Sequence, residues 1–496
     1  MKQEDIILNK ANDNKNVPSN EFAEHEFVAD ITTENKLAKH AIQVHKFGGS
    51  SLATPKCIKR ALEIIRENCQ LNDIVVVSAN GKTTDSLFAI YSLVESTIAE
   101  QTMKKSDELS QAIADLAQEQ AKLITELLNA NNTKQLLLRL NKDIEQLTIW
   151  LATDIVQYHN DILALGEVWS ARLLSALLNE QVCPSNSIDS RDFLVIDNEQ
   201  NCVVDTAISA AQLRRRRQFG KLAVITGYIS KDARGKSCTL GRNGSDYSAT
   251  IIASLVSAGN VTLWTDVDGI YTTDPRVVPE AKKIDVITME EMLEMAGQGA
   301  KVIQIRAVEF ANKYNVPVRV LSSFELGDGT LISLEEKNME NGLVSGIAFQ
   351  KDQVKFTLHG VSDTPGMAYG ILGPLSQANI EVDVIVQNVS VNGKTDFTFT
   401  VSKEDESMAT EVINGLKSSL EFDDLLIDSS IAKVSLVGVG MRSHAGIAST
   451  AFKALSETGI NIQMISTSEI KITIVIDEIE TDTAVTSLHK AFNLDS

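Results

Sequence analysis

LGRNGSDYSAT, Leu240 to Thr250, decides the reading of this chain. Gly241, Asn243 and Gly244 make a turn, and a small, helix-compatible run follows. A Gly-rich turn that opens a helix presents free backbone N–H groups, and the helix dipole favours negative charge there. Arg242 adds a planar fork suited to a carboxylate or a phosphate. Asp246 is badly placed to hold an anion and well placed to catch an ammonium beside it. A site that wants both charges fits an amino acid. Soon after comes LWTDVDGIYTTDPR, a strand ending in a loop that holds Asp266, Asp268, Gly269, Tyr271, Asp274, Pro275 and Arg276. Loops at strand ends of α/β folds are where nucleotides sit.

A third segment, VHKFGGSSLA from Val44 to Ala53, runs a strand into Gly48-Gly49-Ser50-Ser51 with Lys46 just before. The three motifs in this order resemble the aspartate kinase family, within the wider amino-acid-kinase fold. The resemblance covers nearly everything from about residue 42 to the C-terminus. It implies an α/β protein: an amino-acid-kinase domain at about 42–325, a mainly parallel sheet sandwiched by helices, then two βαββ ACT regulatory units. The implied reaction is ATP + L-aspartate → ADP + 4-phospho-L-aspartate, the first step of lysine, threonine and methionine biosynthesis. Mg²⁺ is expected to ride with ATP, held by phosphates more than by a protein cage, so no protein metal site is assigned.

The resemblance also assigns residues. Lys46 meets the phosphoryl group, while Phe47, Gly48, Gly49 and Ser50 form the phosphate loop. Thr265, Asp266, Tyr271, Asp274, Pro275 and Arg276 form the nucleotide loop, with Asp266 and Tyr271 near the adenosine and Arg276 near the phosphates. Lys301, in GAKVIQIRAVEFA, is a further ATP contact. Some members read H-P-R after this segment, where this chain has Gln304-Ile305-Arg306. SANGKTTD, Ser78 to Asp85, is the substrate loop, and Thr84 is its aspartate contact. Its Gly81-Lys82-Thr83 is no P-loop, because Val76 stands where that motif needs glycine. Glu167, in ALGEVWSARLL, takes the substrate ammonium; many members read G-E-R-x-S, and here Val168 and Trp169 follow instead. Arg242 clamps the α-carboxylate, Asn243, Gly244 and Ser245 complete that loop, and Asp246 helps hold the ammonium. Asn243 replaces a common glycine, and asparagine tolerates the unusual backbone angles such a turn needs. No Ser/His/Asp triad is legible. None is required, since the substrate carboxylate is already ionised at neutral pH (reference pKa about 3.9).

Composition bounds the alternatives. A chain of 496 residues is too long for one core. Its 46 Lys and Arg against 66 Asp and Glu give a net charge of −20, which argues against nucleic acid as a partner. The basic cluster Arg214 to Arg217 suits the solvated end of a helix. Five scattered cysteines, with no CxxC and no secretory signal, fit reduced thiols in cytoplasm. No apolar run reaches the roughly 18 residues of a membrane span. Residues 1–41 are polar and acidic and are expected to be a disordered arm. Residues 86 to about 180 are Pro-free and rich in Leu, Ala, Glu and Lys, which predicts helices, with an insert at about 86–165. From Val182 onward strand-like and helical runs alternate, the pattern of a parallel sheet.

The C-terminal third repeats itself at an offset of 80: Gly366 falls on Gly446, Leu375 on Leu455, Ile380 on Ile460 and Ile385 on Ile465. Each copy reads strand, turn, helix, strand, turn, strand. With its D-x-P-G turn the repeat resembles paired ACT domains, placed here at 345–430 and 431–496. These imply a homo-oligomer, a dimer or higher, and effector contacts at Asp363, Thr364, Pro365, Gly366, Gln387 and Asn388. In the second copy the matching contacts are Ser443, His444, Ser466, Thr467, Ser468 and Glu469. The effector stays open between lysine, threonine and both together. No strand–GxGxxG–helix element follows, so a fused dehydrogenase is not expected. Two rival readings are a glutamate or acetylglutamate kinase and a catalytically dead amino-acid sensor. The three kinase motifs with the ACT pair disfavour the first. The presence of Lys46, Glu167, Arg242, Asp246 and Lys301 disfavours the second.

Overall fold

A computed structural model describes residues 41–100, 105–197, 203–241, 243–300, 302–334, 343–388, 393–420, 422–439, 441 and 446–495. The arm, Arg242, Lys301, Ser443 and His444 lie outside the described residues. No described helix is long and apolar enough to cross a membrane.

The catalytic half is built on an eight-stranded sheet. Its order is Val286–Thr288, Thr330–Ser333, Val318–Ser322, Asn260–Thr265, Gln43–Phe47, Ile74–Val77, Leu222–Thr226 and Ser185–Ile188. The last six run parallel, and the first two run the other way. IVVV and LAVIT are buried along their whole length, as strands covered on both faces must be. Alternate side chains serve different cores. Ile74 and Val76 pack with the helices Gly244–Leu255 and Ile305–Lys313, while Val75 and Val77 pack with a block of four helices.

That block is Thr83–Glu100, Lys105–Leu127, Ala130–Thr153 and Ile155–Gln181. Its breaks are capped: Asn129 accepts from the amides of Asn131 and Asn132, and Asp154 from that of Gln157. The helical segment runs on to about 180, as its composition predicts. Its last helix runs to Gln181 and is buried continuously from Ile162 to Ala171, because it lies between the sheet and the outer helices. Arg214 to Arg216 close the helix Thr206–Arg216 and are exposed, as their position before a strand suggested. A small sheet of Val203–Val204, Val195–Asp197, Ile229–Asp232 and Ser237–Thr239 flanks the site edge.

The regulatory half is a six-stranded antiparallel sheet, ordered Val382–Gln387, Lys394–Ser402, Gly346–Ser362, Asp424–Val437, Lys471–Asp477 and Met464–Thr467. The sequence repeat survives in burial. Leu375 and Leu455 are both buried, as are Ile380 and Ile460, while Ile385 and Ile465 are 46% and 43% exposed on the two edge strands. Each copy gains a second helix, Glu406–Gly415 and Thr481–Ala491. The division at 345–430 and 431–496 needs correcting. Gly346–Gln350 pairs with Lys433–Val437, so this strand belongs to the second unit although it precedes the first. The first unit closes on Leu425–Asp428, paired with Lys355–Leu358. One unit is inserted within the other, an arrangement that only long-range pairing reveals.

Gly166 marks the closest approach of the last helix to the loop after Ile74–Val77. A Cβ there would stand 2.7 Å from the Ala79 methyl carbon and 3.3 Å from Thr83 Cγ2. Gly166→Ala is expected to force helix and loop apart and cost about 1–3 kcal/mol of stability. Denaturant unfolding of both proteins, with equal midpoints as the contrary result, checks this.

Candidate active site

Lys46 and Asp246 come together at the C-terminal end of a central parallel strand. Lys46 is the penultimate residue of its strand. The following turn is tied to its neighbours: Gly48 N–H donates to Trp264 C=O at 3.2 Å, Ser78 N–H to Phe47 C=O at 3.1 Å, and Gly81 N–H to Gly49 C=O at 3.0 Å. Lys46 Nζ lies 2.6 Å from Asp246 Oδ1, both side chains only 11% exposed. Two residues from motifs about two hundred positions apart therefore meet, and the pair fixes where the Lys46 ammonium points.

The substrate loop is shaped by its backbone. Asn243, at φ 55° and ψ 24°, takes the left-handed conformation its side chain tolerates and starts the helix that carries Gly244, Ser245 and Asp246. Gly227, after the strand Leu222–Thr226, lets that helix come close, since a Cβ there would stand 2.7 Å from Ser245 Cβ. Ser248 Oγ accepts the Tyr228 N–H at 2.8 Å and donates to Gly244 C=O at 3.0 Å. Arg306 donates to Leu240 C=O at 3.2 Å, and its guanidinium lies 4.6 Å from the centre of the Tyr247 ring. The sequence alone assigned no role to Gly227, Tyr228 or Arg306. A glycine directly after LAVIT was the one available signal.

Glu167 is buried on the long helix. Its Oε1 accepts the Ala79 N–H at 3.3 Å, while its Oε2 has no partner. Burial pushes this carboxyl up to about 8. An unpaired buried carboxylate oxygen is costly unless a cation arrives to meet it. Thr84 Oγ1 lies 3.5 Å from where a Cβ on the neighbouring Gly166 would stand. Thr83 is committed to the loop itself: its hydroxyl donates to Asn80 C=O at 2.6 Å and accepts from Gln120 Nε2 at 3.0 Å. Gln120 comes from the second helix of the block, and nothing local in the sequence marked it.

The nucleotide loop is ordered by its own polar groups. Thr265 donates to Asp266 Oδ1 at 3.0 Å, and Tyr271 to Asp268 Oδ1 at 3.0 Å. Arg276 pairs with Asp274 at 2.6 Å, and its donated hydrogen bond holds that carboxyl below the usual range. The Arg276 side chain is 88% exposed, at the rim. Pro275 is exposed beside it. The loop lines a cleft of about 1930 Å³ that extends to Gln350, Lys351 and Lys433 of the regulatory half. Lys46, Glu167 and Asp246 lie outside that cleft, packed at the strand ends. His45 is a core group: it accepts from the Trp264 indole at 3.3 Å, and burial lowers it to about 4.

The effector set divides between two places. Asp363, Thr364, Pro365 and Gly366 are exposed ahead of the helix Met367–Gln377, with Gly366 at φ 96°. Asp363 N–H donates to Gly393 C=O, and Asn388 N–H, next to Gln387, to Asp396 C=O, so these residues share one end of the sheet. Ser466 and Thr467 lie on the opposite edge strand, followed by Ser468, whose Oγ accepts from the amides of Ile470 and Lys471, and by Glu469.

Comparison with known proteins agrees with this geometry. The Amino acid kinase family profile matches residues 41–322, and an ACT domain profile matches 434–492. An aspartate kinase of Stutzerimonas stutzeri is 49% identical over 337 residues, 68% of this chain and 82% of that protein. An aspartokinase of Mycolicibacterium smegmatis is 35% identical over 462 residues, 92% and 96% of the two chains. Among solved structures, E. coli aspartokinase III in complex with aspartate and ADP superposes with a TM-score of 0.76 at 26% identity, covering 91% of this chain and all of that one. The same enzyme with lysine and aspartate gives 0.71 at 26% identity, covering 91% and 99%. With its charged groups at the strand ends and its regulatory sheet behind them, the chain belongs to the amino acid kinase family and, within it, to the aspartate kinases.

Proposed function

We propose that this chain transfers the γ-phosphoryl group of ATP, carried with Mg²⁺, to the side-chain carboxylate of L-aspartate. A carboxylate oxygen attacks the γ-phosphorus, the bond to the bridging oxygen breaks, and ADP leaves. The observation that carries the reading is the convergence of Lys46 and Asp246 at the strand ends, near a buried Glu167 with one oxygen unpaired. Lys46 is assigned to the transferring phosphoryl group, where positioning and charge neutralisation make up most of catalysis. Glu167 and Asp246 are assigned to the substrate ammonium, Thr84 and Arg242 to its carboxylates. Thr265 to Arg276 and Lys301 are assigned to the nucleotide. Work in the cytoplasm on the pathway to lysine, threonine and methionine follows from this reading. ADP formation with L-aspartate and no comparable rate with glutamate tests it. Lys46→Ala is expected to lower kcat by about 10²-fold or more with a smaller change in KM for ATP.

Glu167 sets a pH dependence. Burial keeps it protonated below about 8 in the free enzyme, and the substrate ammonium calls for the carboxylate. Below that pH, binding must expel a proton, so KM for aspartate is expected to fall up to about tenfold per pH unit as pH rises toward about 8, then level. Glu167→Gln removes the slope. A slope surviving that substitution would assign it elsewhere.

Regulation is assigned to the ACT units. The turn Asp363 to Gly366 opens a helix whose free N–H groups suit an effector carboxylate, with Asp363 for its ammonium. Lysine, bound by E. coli aspartokinase III in the structure above, is the first effector to test, with threonine next. The exposed edge strands with Ile385 and Ile465 suit pairing between copies of the chain. Asp363→Ala is expected to leave uninhibited kcat within about threefold and to weaken inhibition, since coupling of about 1–3 kcal/mol shifts activity 5- to 150-fold. Dose–response curves with both amino acids, singly and mixed, check this; unchanged curves would leave the repeat as an assembly device.

A further inference from the structure

The nucleotide loop is built partly into the second regulatory unit. Val278, just past Arg276, is buried in that unit's core with Ile347, Leu436 and Leu488. The strand that the second unit takes from ahead of the first, Gly346–Gln350, also touches the loop: Ile347 N–H donates to Thr272 C=O at 2.7 Å. Thr272 lies between Tyr271 and Asp274, where the loop's short hairpin pairs Ile270 and Tyr271 with Ile284 and Lys283.

The Thr272 side chain is held from two directions. Its Oγ1 accepts the Lys282 N–H at 3.0 Å, across the hairpin, and stands 2.9 Å from His489 Nε2. His489 sits near the end of the helix Thr481–Ala491 and is 2% exposed. With one lone pair of Oγ1 taken by Lys282, the hydroxyl proton can be donated to a neutral imidazole, and burial lowers the His489 pKa in that direction. Other bonds between the halves reach a different element: Lys471 pairs with Glu294 at 2.8 Å and Ser435 donates to Gln298 at 2.9 Å, along and just past the helix Met289–Gly297. The His489 bond ends on a side chain of the loop itself.

We propose that His489 is a positioning residue for ATP: through Thr272 it fixes the nucleotide loop, so the last helix of the second regulatory unit completes the nucleotide site. This rests on reading residues 265–276 as that loop. Chemistry is left to the residues at the strand ends, and His489 acts on nucleotide binding alone.

Steady-state kinetics on the full chain tests the proposal with Thr272→Val, which keeps the shape and removes the hydroxyl, and with His489→Leu and His489→Gln. Thr272→Val and His489→Leu should each raise KM for ATP about 3- to 10-fold, the scale of one net hydrogen bond. KM for aspartate and kcat should stay within about twofold, a split that general loss of stability does not produce. His489→Gln, whose amide can still meet the hydroxyl, should recover most of the loss. The double variant should be no weaker than Thr272→Val, which already removes the His489 bond along with the Lys282 one. Unchanged KM for ATP in Thr272→Val, equal rises for both substrates, or additive losses in the double variant would overturn it. Asp274→Ala separates the two levels. If that variant weakens ATP binding while Thr272→Val does not, the His489 proposal alone fails. If Asp274→Ala also leaves KM for ATP unchanged, the loop reading falls and takes the proposal with it.

Discussion

Lys46 and Asp246 meet at 2.6 Å, and much of the catalytic half is arranged to let them. Lys46 arrives on a central strand and Asp246 on the first turn of a helix about two hundred residues later. The contact requires that strands from distant parts of the chain run parallel and end together. It also requires that the helix start come within van der Waals contact of the loop at Gly227. Parallel strands need crossover connections, and those connections become the helices that bury both faces of the sheet. The polar loops are left at one edge, where the backbone is exposed enough to meet anions and the surroundings are dry enough for charge to matter.

Glu167 shows the other side of that arrangement. Its helix is buried from Ile162 to Ala171, so the carboxyl lies where water cannot compensate its charge. The Ala79 amide donates to one of its oxygens. A site that leaves a buried oxygen unpaired stores a preference for a cation, and the preference is strong because the surroundings are poor in competing donors. Gln120 and Arg306 matter for a related reason. Each spends its hydrogen bonds on a loop backbone or side chain, which limits how far the substrate loops can drift.

The regulatory half is joined to the catalytic half through the second unit. The exchanged strand Gly346–Gln350, the ion pair Lys471–Glu294 and the bond between His489 and Thr272 all run to it. Insertion of the first unit within the second gives both units a place in one continuous sheet.

The sequence by itself determined the elements whose signals are local. Gly48-Gly49 after an apolar run, Asn243-Gly244 ahead of a small-residue helix, and the loop after LWT each carry their chemistry within about ten residues, and they led to the kinase fold and to the residues proposed for the site. The duplication was equally legible, because burial repeats with it: Leu375 matches Leu455, and exposed Ile385 matches exposed Ile465. What the tertiary structure alone decided depends on contacts between distant segments. The continuous burial of the last helix of the block from Ile162 to Ala171 was hidden because it depends on the sheet and the outer helices that cover it. The exchange of Gly346–Gln350 was hidden because strand pairing leaves no local trace in either partner. The burial of Glu167, and the reach of His489 to Thr272 across more than two hundred residues, were set by packing, which decides which polar groups lose water and therefore which of them need one another.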